Sequence, residues 1–263
     1  MKSKILLITV MILAIFLQMN SYAANDFEKA MLKAKKNLKE GMDQADVTKI
    51  VKARGQFERI LQLKQDVWLV NYYLALADYG QSLKSSASKN KEDIKKFTES
   101  GIDMINKSID ENPAFADSFI LLEFLNFNRW QYEQEKMQEI ITASQSADAD
   151  AKKLEPGNPR YLLVNGIAHF YTPEAFGGGV KIAIPELEKS MDLYKNRVEK
   201  KNYYPDWGND LAMGYMALSL IKRNDDGDMA KAKTLIDDAG KLNPDSEFIS
   251  KYVMKEYQDT NKK

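Results

Sequence analysis

Residues 227–244 read GDMAKAKTLIDDAGKLNP, and they carry the clearest structural pattern in the chain. Ala232, Ile236 and Ala239 follow one another at the four- and three-residue spacings of a single helix face. Small residues let two antiparallel helices approach closely, and a bulky residue between them fills the remaining gap. Pro244 follows directly, and a proline cannot continue a helix. The stretch therefore predicts the second helix of a helical hairpin that turns into a further helix.

The same small–bulky–small frame recurs upstream, each time after another apolar stretch of helical periodicity. The copies are Ala53–Phe57–Ile60, Gly101–Ile105–Ser108, Ala183–Leu187–Ser190 and a weaker one ending at Ala151, Leu154 and Pro156, in which the bulky position is Asp148. The preceding stretches, predicted as first helices, are 66–81, 114–131, 160–170 and 210–223. Alternating β-branched runs are absent. The predicted fold is all-α, an α-solenoid of about five stacked antiparallel helical hairpins.

This frame resembles the second half of a tetratricopeptide repeat (TPR), and Gly166 and Gly214 fall where that family has its helix-packing glycine. The prolines at 113, 156, 205 and 244 are 43, 49 and 39 residues apart, whereas the family unit has about 34 residues. The hairpins are therefore expected to be longer than usual or to carry insertions. The resemblance implies a binding surface on the first helices, and a generic α-solenoid or helical bundle is the alternative fold.

One loop carries a second resemblance. Residues 171–179 read YTPEAFGGG, and together with Ala183 and residues 187–189 they resemble the hairpin turn of the TPR-type T-component of bacterial TRAP transporter systems. That resemblance implies a periplasmic accessory protein that associates with solute-binding proteins.

The N-terminus is predicted to be a signal peptide spanning residues 1–23, with the TPR-like domain in residues 24–263. Two lysines precede the apolar run 5–17, and small residues lie at the cleavage positions Ser21 and Ala23. The run is too short to span a bilayer, which needs about 20 residues. Cleavage after Ala24 is the alternative. The chain has no Cys for a lipid anchor, so it is expected to be periplasmic or secreted and not membrane-spanning after cleavage.

The composition excludes several kinds of chemistry. With 38 basic and 38 acidic residues, the chain lacks the basic excess that nucleic-acid binding requires. Without Cys, it has no thiolate metal site and no cysteine nucleophile. His169 is the only histidine, which disfavours a His-based metal site, and no nucleophile elbow is present. We therefore predict no enzyme activity, no metal and no cofactor.

Noncovalent binding is the function that this sequence favours. Aromatic residues and asparagines on the predicted first helices are suited to contact a peptide or a small ligand. The candidate residues are Asn71, Tyr72, Trp130, Asn165, His169, Tyr171 and Trp207. The predicted partner is a protein or peptide of unknown identity. The alternative is a small solute, handled by an accessory component of a transporter.

Overall fold

The computed structural model describes residues 26–262, and all regular structure within that range is helical. The helices are α1 (26–43), α2 (Val47–Leu61), α3 (Val67–Ala87), α4 (Lys91–Glu111), α5 (Ala116–Asn128), α6 (Met137–Leu154), α7 (Pro159–Tyr171), α8 (Val180–Tyr194), α9 (Asn209–Arg223), α10 (Asp228–Leu242), a π-helical turn (Phe248–Val253) and α11 (Met254–Asn261). The predicted all-α solenoid is confirmed. The predicted signal peptide, residues 1–23, lies outside the described residues.

Consecutive helices pair into five hairpins, from α1–α2 to α9–α10. Neighbouring first helices also touch, since α3 contacts α5, α5 contacts α7, and α7 contacts α9. The C-terminal segment 248–261 continues the row by packing on α9. We call this row, made of α3, α5, α7, α9 and segment 248–261, the first-helix layer. No helix in residues 26–262 combines the length and apolar character needed to cross a membrane.

The repeated frame forms the packing positions of the hairpins. The buried small and bulky residues of its strong copies are Ala53, Phe57, Ile60, Gly101, Ile105, Ser108, Ala183, Leu187, Ser190, Ala232, Ile236 and Ala239. Each set lies on a second helix and faces the first helix of its own hairpin or of the next. The spacing therefore encodes the stacking directly, because burial of these side chains is the main favourable term in folding.

Gly166 allows the closest approach of two helices within the α7–α8 hairpin. A Cβ atom placed on Gly166 would lie 2.7 Å from Cγ of Leu187, nearer than non-bonded carbon atoms approach. Leu187 is fully buried, and its Cδ2 atom would also lie only 2.8 Å from the added Cβ. The glycine that the TPR resemblance placed here is thus required by packing rather than by backbone conformation.

We expect Gly166→Ala to lower the free energy of unfolding by about 1–3 kcal/mol, because the added methyl group overpacks the hairpin. Gly240 on α10 is the matched control, since a Cβ atom there meets nothing within 4 Å. Gly240→Ala should raise the free energy of unfolding by about 0.5–1 kcal/mol, through the better helix propensity of alanine. Urea denaturation of both variants measures the difference. Equal stability of the two would contradict the packing role of Gly166.

Two insertions account for the long spacing between prolines. Short 3-10 turns over Arg129–Gln131 and Gln134–Lys136 extend the α5–α6 hairpin. The α8–α9 loop, residues 195–208, connects the fourth hairpin to the fifth and extends back to the N-terminal helices. There the Tyr73 hydroxyl donates to the carbonyl of Tyr203 at 2.8 Å, and Nζ of Lys35 donates to the carbonyl of Tyr204 at 2.7 Å. The extra residues therefore cover the beginning of the first-helix layer.

Candidate functional site

Tyr72 and Trp207, two of the candidates predicted from the sequence, contact each other, and Trp207 is half-buried. The Trp207 indole N–H donates to the Tyr72 hydroxyl at 2.8 Å, and Tyr72 is fully buried. Asn71 is also buried, and its Oδ1 has no hydrogen-bond partner among the described residues. The loop thus occupies this end of the first-helix layer, and the groups of Tyr72 and Trp207 that could hold a ligand are bonded to each other.

Asn165 and His169 face neighbouring helices. The Asn165 amide donates to Oδ1 of Asp148 on α6 at 3.0 Å, and Nδ1 of His169 lies 2.6 Å from Oε2 of Glu186 on α8. Trp130 is half-buried in the 3-10 turn that follows α5. Of the seven candidates, Tyr171 alone is exposed, with 50% of its surface accessible.

Tyr171 belongs to a continuous group of aromatic rings, which we call the aromatic row. It runs across α7, α9 and the C-terminal segment and comprises Phe170, Tyr171, Tyr215, Phe248 and Tyr252. Successive ring centroids are 5.0–6.1 Å apart. Such offset and edge-to-face contacts hold aromatic rings in fixed orientations. The row is therefore a pre-ordered apolar surface on the first-helix layer, beyond the part that the α8–α9 loop covers.

Exposure of aromatic side chains is confined to this region of the described chain. Within residues 26–262, the exposed aromatic residues are Tyr171, Tyr252 and Phe176. The first two belong to the aromatic row, and Phe176 lies in the short turn that follows α7. Contiguous exposed aromatic surface is uncommon on soluble proteins and marks sites of interaction. The aromatic row is accordingly the candidate binding site.

Two tyrosines of the row, Tyr215 and Tyr252, have a raised pKa. Burial raises the pKa of Tyr215 well above its ordinary value, and the neighbouring Tyr171 raises it further. Burial, followed by the influence of Tyr171, has the same effect on the pKa of Tyr252 and on that of Tyr79 on α3. The hydroxyls of Tyr171 and Tyr215 are 3.4 Å apart. The surface thus combines apolar ring faces with hydroxyl groups that can donate and accept hydrogen bonds.

Sequence reasoning found Tyr171 but did not identify Phe248 and Tyr252. These two residues are four apart in the π-helical turn, and their rings stack at 5.9 Å. Their spacing was the available signal, because residues four apart share a helix face. What the sequence did not reveal was that this turn packs next to α9 and brings both rings to Tyr215.

A group of acidic side chains lies between the α5–α6 and α7–α8 hairpins. Glu123 is 7% exposed, and its Oε2 has no hydrogen-bond partner among the described residues. Burial raises the pKa of Glu123 to about 8, and the nearby carboxylates of Asp148 and Glu186 add to the effect. Glu123 also lines a small pocket between α5 and α7, together with apolar residues such as Phe127 and Val164. The described residues contain no group of three or more acidic or histidine side chains arranged to hold a metal ion.

Comparisons with known proteins support the class of fold and little more. No family model matches the chain, and no curated protein matches its sequence. The HusA haemophore from Porphyromonas gingivalis is similar in structure, with a TM-score of 0.63 and 24% sequence identity over 73% of this chain and 92% of that chain. A thermophilic TPR protein from Thermus thermophilus is similar with a TM-score of 0.54 and 13% identity over 88% of this chain and 100% of that chain. This protein is therefore an all-α, TPR-like helical repeat protein, and the resemblance to the TRAP T-component finds no support in these comparisons.

Proposed function

We propose that this chain is an exported TPR-like carrier that binds a flat aromatic ligand of the porphyrin class, such as haem, noncovalently on the aromatic row. The observation that carries the proposal is the exposure of Tyr171 and Tyr252 on one pre-ordered aromatic surface. A porphyrin offers a rigid, largely apolar face to such rings, and stacking requires little further ordering of the protein. The proposal includes no catalytic step and assigns no protein ligand to iron.

Similarity to HusA supports a porphyrin over other flat ligands. HusA is a haemophore, and the shared fold extends over 92% of its chain. Export with cleavage after Ala23 or Ala24 is part of the proposal, and it rests on the signal peptide predicted from the sequence. Mass spectrometry of the protein recovered from its native envelope or culture medium tests the cleavage.

The test of binding is a titration of the purified protein with haemin, followed by Soret absorbance and by quenching of intrinsic fluorescence. We expect saturable binding, and we expect Tyr171→Ala combined with Tyr252→Ala to weaken it by about tenfold, since each aromatic contact contributes about 0.5–1.5 kcal/mol. Leu63→Ala is the matched control, because Leu63 is equally exposed but lies after α2, in the first hairpin. Absence of saturable binding, or identical binding by the double variant, would refute the proposal.

A protein or peptide partner is the second candidate, as the sequence predicted. The aromatic row is open rather than enclosed, since half of the Tyr171 surface is accessible. Tyrosine-rich open surfaces are typical of protein interfaces, and first helices are the usual binding face of helical repeats. If haemin does not bind, a peptide that binds the wild type but not the Tyr171→Ala, Tyr252→Ala variant would establish this function instead.

A further inference from the structure

Lys222 lies at one edge of the aromatic row. It is seven residues after Tyr215 on α9, so the two side chains share one face of that helix, two turns apart. Its Nζ lies 5.0 Å from the centroid of the Phe170 ring and 3.4 Å from the carbonyl oxygen of Phe170. The ammonium group is therefore held beside the exposed rings by an aromatic face and a backbone oxygen.

The charge of Lys222 is not neutralised by a carboxylate. Within residues 26–262 no acidic side chain lies within ion-pair distance of its Nζ, although basic residues nearby are paired. Arg223 contacts Asp228 at 2.7 Å, and Lys251, next to Tyr252, is paired with Glu247. A cation beside an apolar surface, without a counter-ion in the protein, is suited to receive the acidic group of a ligand.

The Tyr252 end of the aromatic row differs, because the lysines beside that ring are paired. Lys255, three residues after Tyr252, forms an ion pair with Asp259, as Lys251 does with Glu247. The Lys222 end is therefore the end of the row that would attract a ligand carboxylate.

Resting on the proposed function, we infer that Lys222 binds a carboxylate of the ligand, so that the site selects acidic porphyrins with their propionate edge directed toward α9. The flat ring covers Tyr171 and Tyr215, while the propionate reaches the ammonium group. Lys222 then determines the orientation and chemical class of the ligand, whereas the aromatic rings supply most of the contact area.

The inference is tested with haemin and haemin dimethyl ester, titrated in the same mixed solvent against the wild type and Lys222→Gln. We expect Lys222→Gln to weaken haemin binding by about fivefold at low ionic strength, as for a partly exposed ion pair, and less in high salt. The ester, which lacks the carboxylates, should bind both proteins equally and more weakly than haemin binds the wild type. Lys233→Gln is the matched control, because Lys233 is paired with Asp237 on α10.

Each outcome distinguishes the inference from the proposed function. Equal binding of haemin and its ester by the wild type and by Lys222→Gln would overturn the role of Lys222 and leave the porphyrin site intact. An equal loss of haemin and ester binding in the variant would also overturn it, since a structural defect would then be the cause. If neither compound binds the wild type, the proposed function and this inference both fail.

Discussion

Replacing Arg160 by leucine is expected to lower the free energy of unfolding by about 3–5 kcal/mol, the cost of leaving a buried charge without its partner. Arg160 is fully buried near the start of α7, and its guanidinium forms two hydrogen bonds to the carboxylate of Asp117 on α5, which is itself only 2% exposed. Burial is the largest single influence and by itself would lower the pKa of Arg160, but the charge and hydrogen bonds of Asp117, together with the nearby Tyr194 and Glu199, raise the pKa well above its ordinary value. The guanidinium is therefore charged at every pH at which the protein folds.

Local sequence places Arg160 where it can join three parts of the fold. Asn158 accepts a hydrogen bond from the backbone N–H of Arg160 at 2.9 Å, and Pro159 begins the helix. The guanidinium also contacts Glu199 of the α8–α9 loop at 2.9 Å. Loss of Arg160 should therefore loosen this loop as well, which limited proteolysis within residues 195–208 would detect.

Urea denaturation followed by circular dichroism measures the effect, and two further variants identify its cause. Replacing Asp117 and Arg160 together by leucine should recover more than half of the lost stability, because no buried charge is left uncompensated. Lys195→Leu removes an ion pair that is exposed on both sides, and we expect no measurable change. If Arg160→Leu were no less stable than Lys195→Leu, the structural role of the Arg160–Asp117 pair would be wrong.

Glu123 should make the protein less stable as the pH rises. In the folded protein its pKa is about 8, whereas the ordinary value is 4.5. Below about pH 4.5 the Glu123 carboxyl is protonated in the folded and in the unfolded protein, so its burial lowers the free energy of unfolding only slightly. Above that value the unfolded chain loses the proton first, so the free energy of unfolding falls by up to about 1.4 kcal/mol per pH unit until the folded protein also ionises. We therefore expect a fall of up to about 4 kcal/mol between about pH 5 and pH 8.

The variant Glu123→Gln isolates this contribution, because its side chain stays neutral throughout. Its free energy of unfolding should change much less over the same pH range and should exceed that of the wild type at the upper end of it. Glu188→Gln, an exposed change on α8, should keep the wild-type slope. A Glu123→Gln slope equal to that of the wild type would show that the loss of stability arises elsewhere, for example at Glu186, whose pKa burial also raises.

The acidic group illustrates what a departure from a repeat pattern can indicate. In the weak repeat copy on α6, Asp148 occupies the position where the other copies have a buried apolar residue. Glu123, Asn165 and Glu186 lie around that position. The sequence identified Asp148 as a departure from the repeat pattern. It did not show that the polar residues from four helices converge there, because they are separated by 17 to 63 positions along the chain.

Sequence alone determined the class of fold, the positions of most helices and the packing residues of each hairpin. These features depend on contacts between residues three and four apart and on helix-ending residues such as Pro244. Short stretches of sequence are therefore sufficient to encode them. The predicted first helices at 160–170 and 210–223 differ from α7 and α9 by at most one residue at either end.

Tertiary structure alone decided which aromatic residues are available to a ligand. Tyr72 and Trp207 were equivalent candidates to Tyr171 in sequence, but the α8–α9 loop folds back onto the N-terminal helices, where the Trp207 indole donates a hydrogen bond to the buried Tyr72 hydroxyl. Tyr252 was not recognised, yet the packing of the C-terminal segment on α9 places it in the aromatic row. The physical reason is that burial depends on contacts between residues distant along the chain, over more than 130 positions for the Tyr72–Trp207 pair, and no local pattern encodes such contacts.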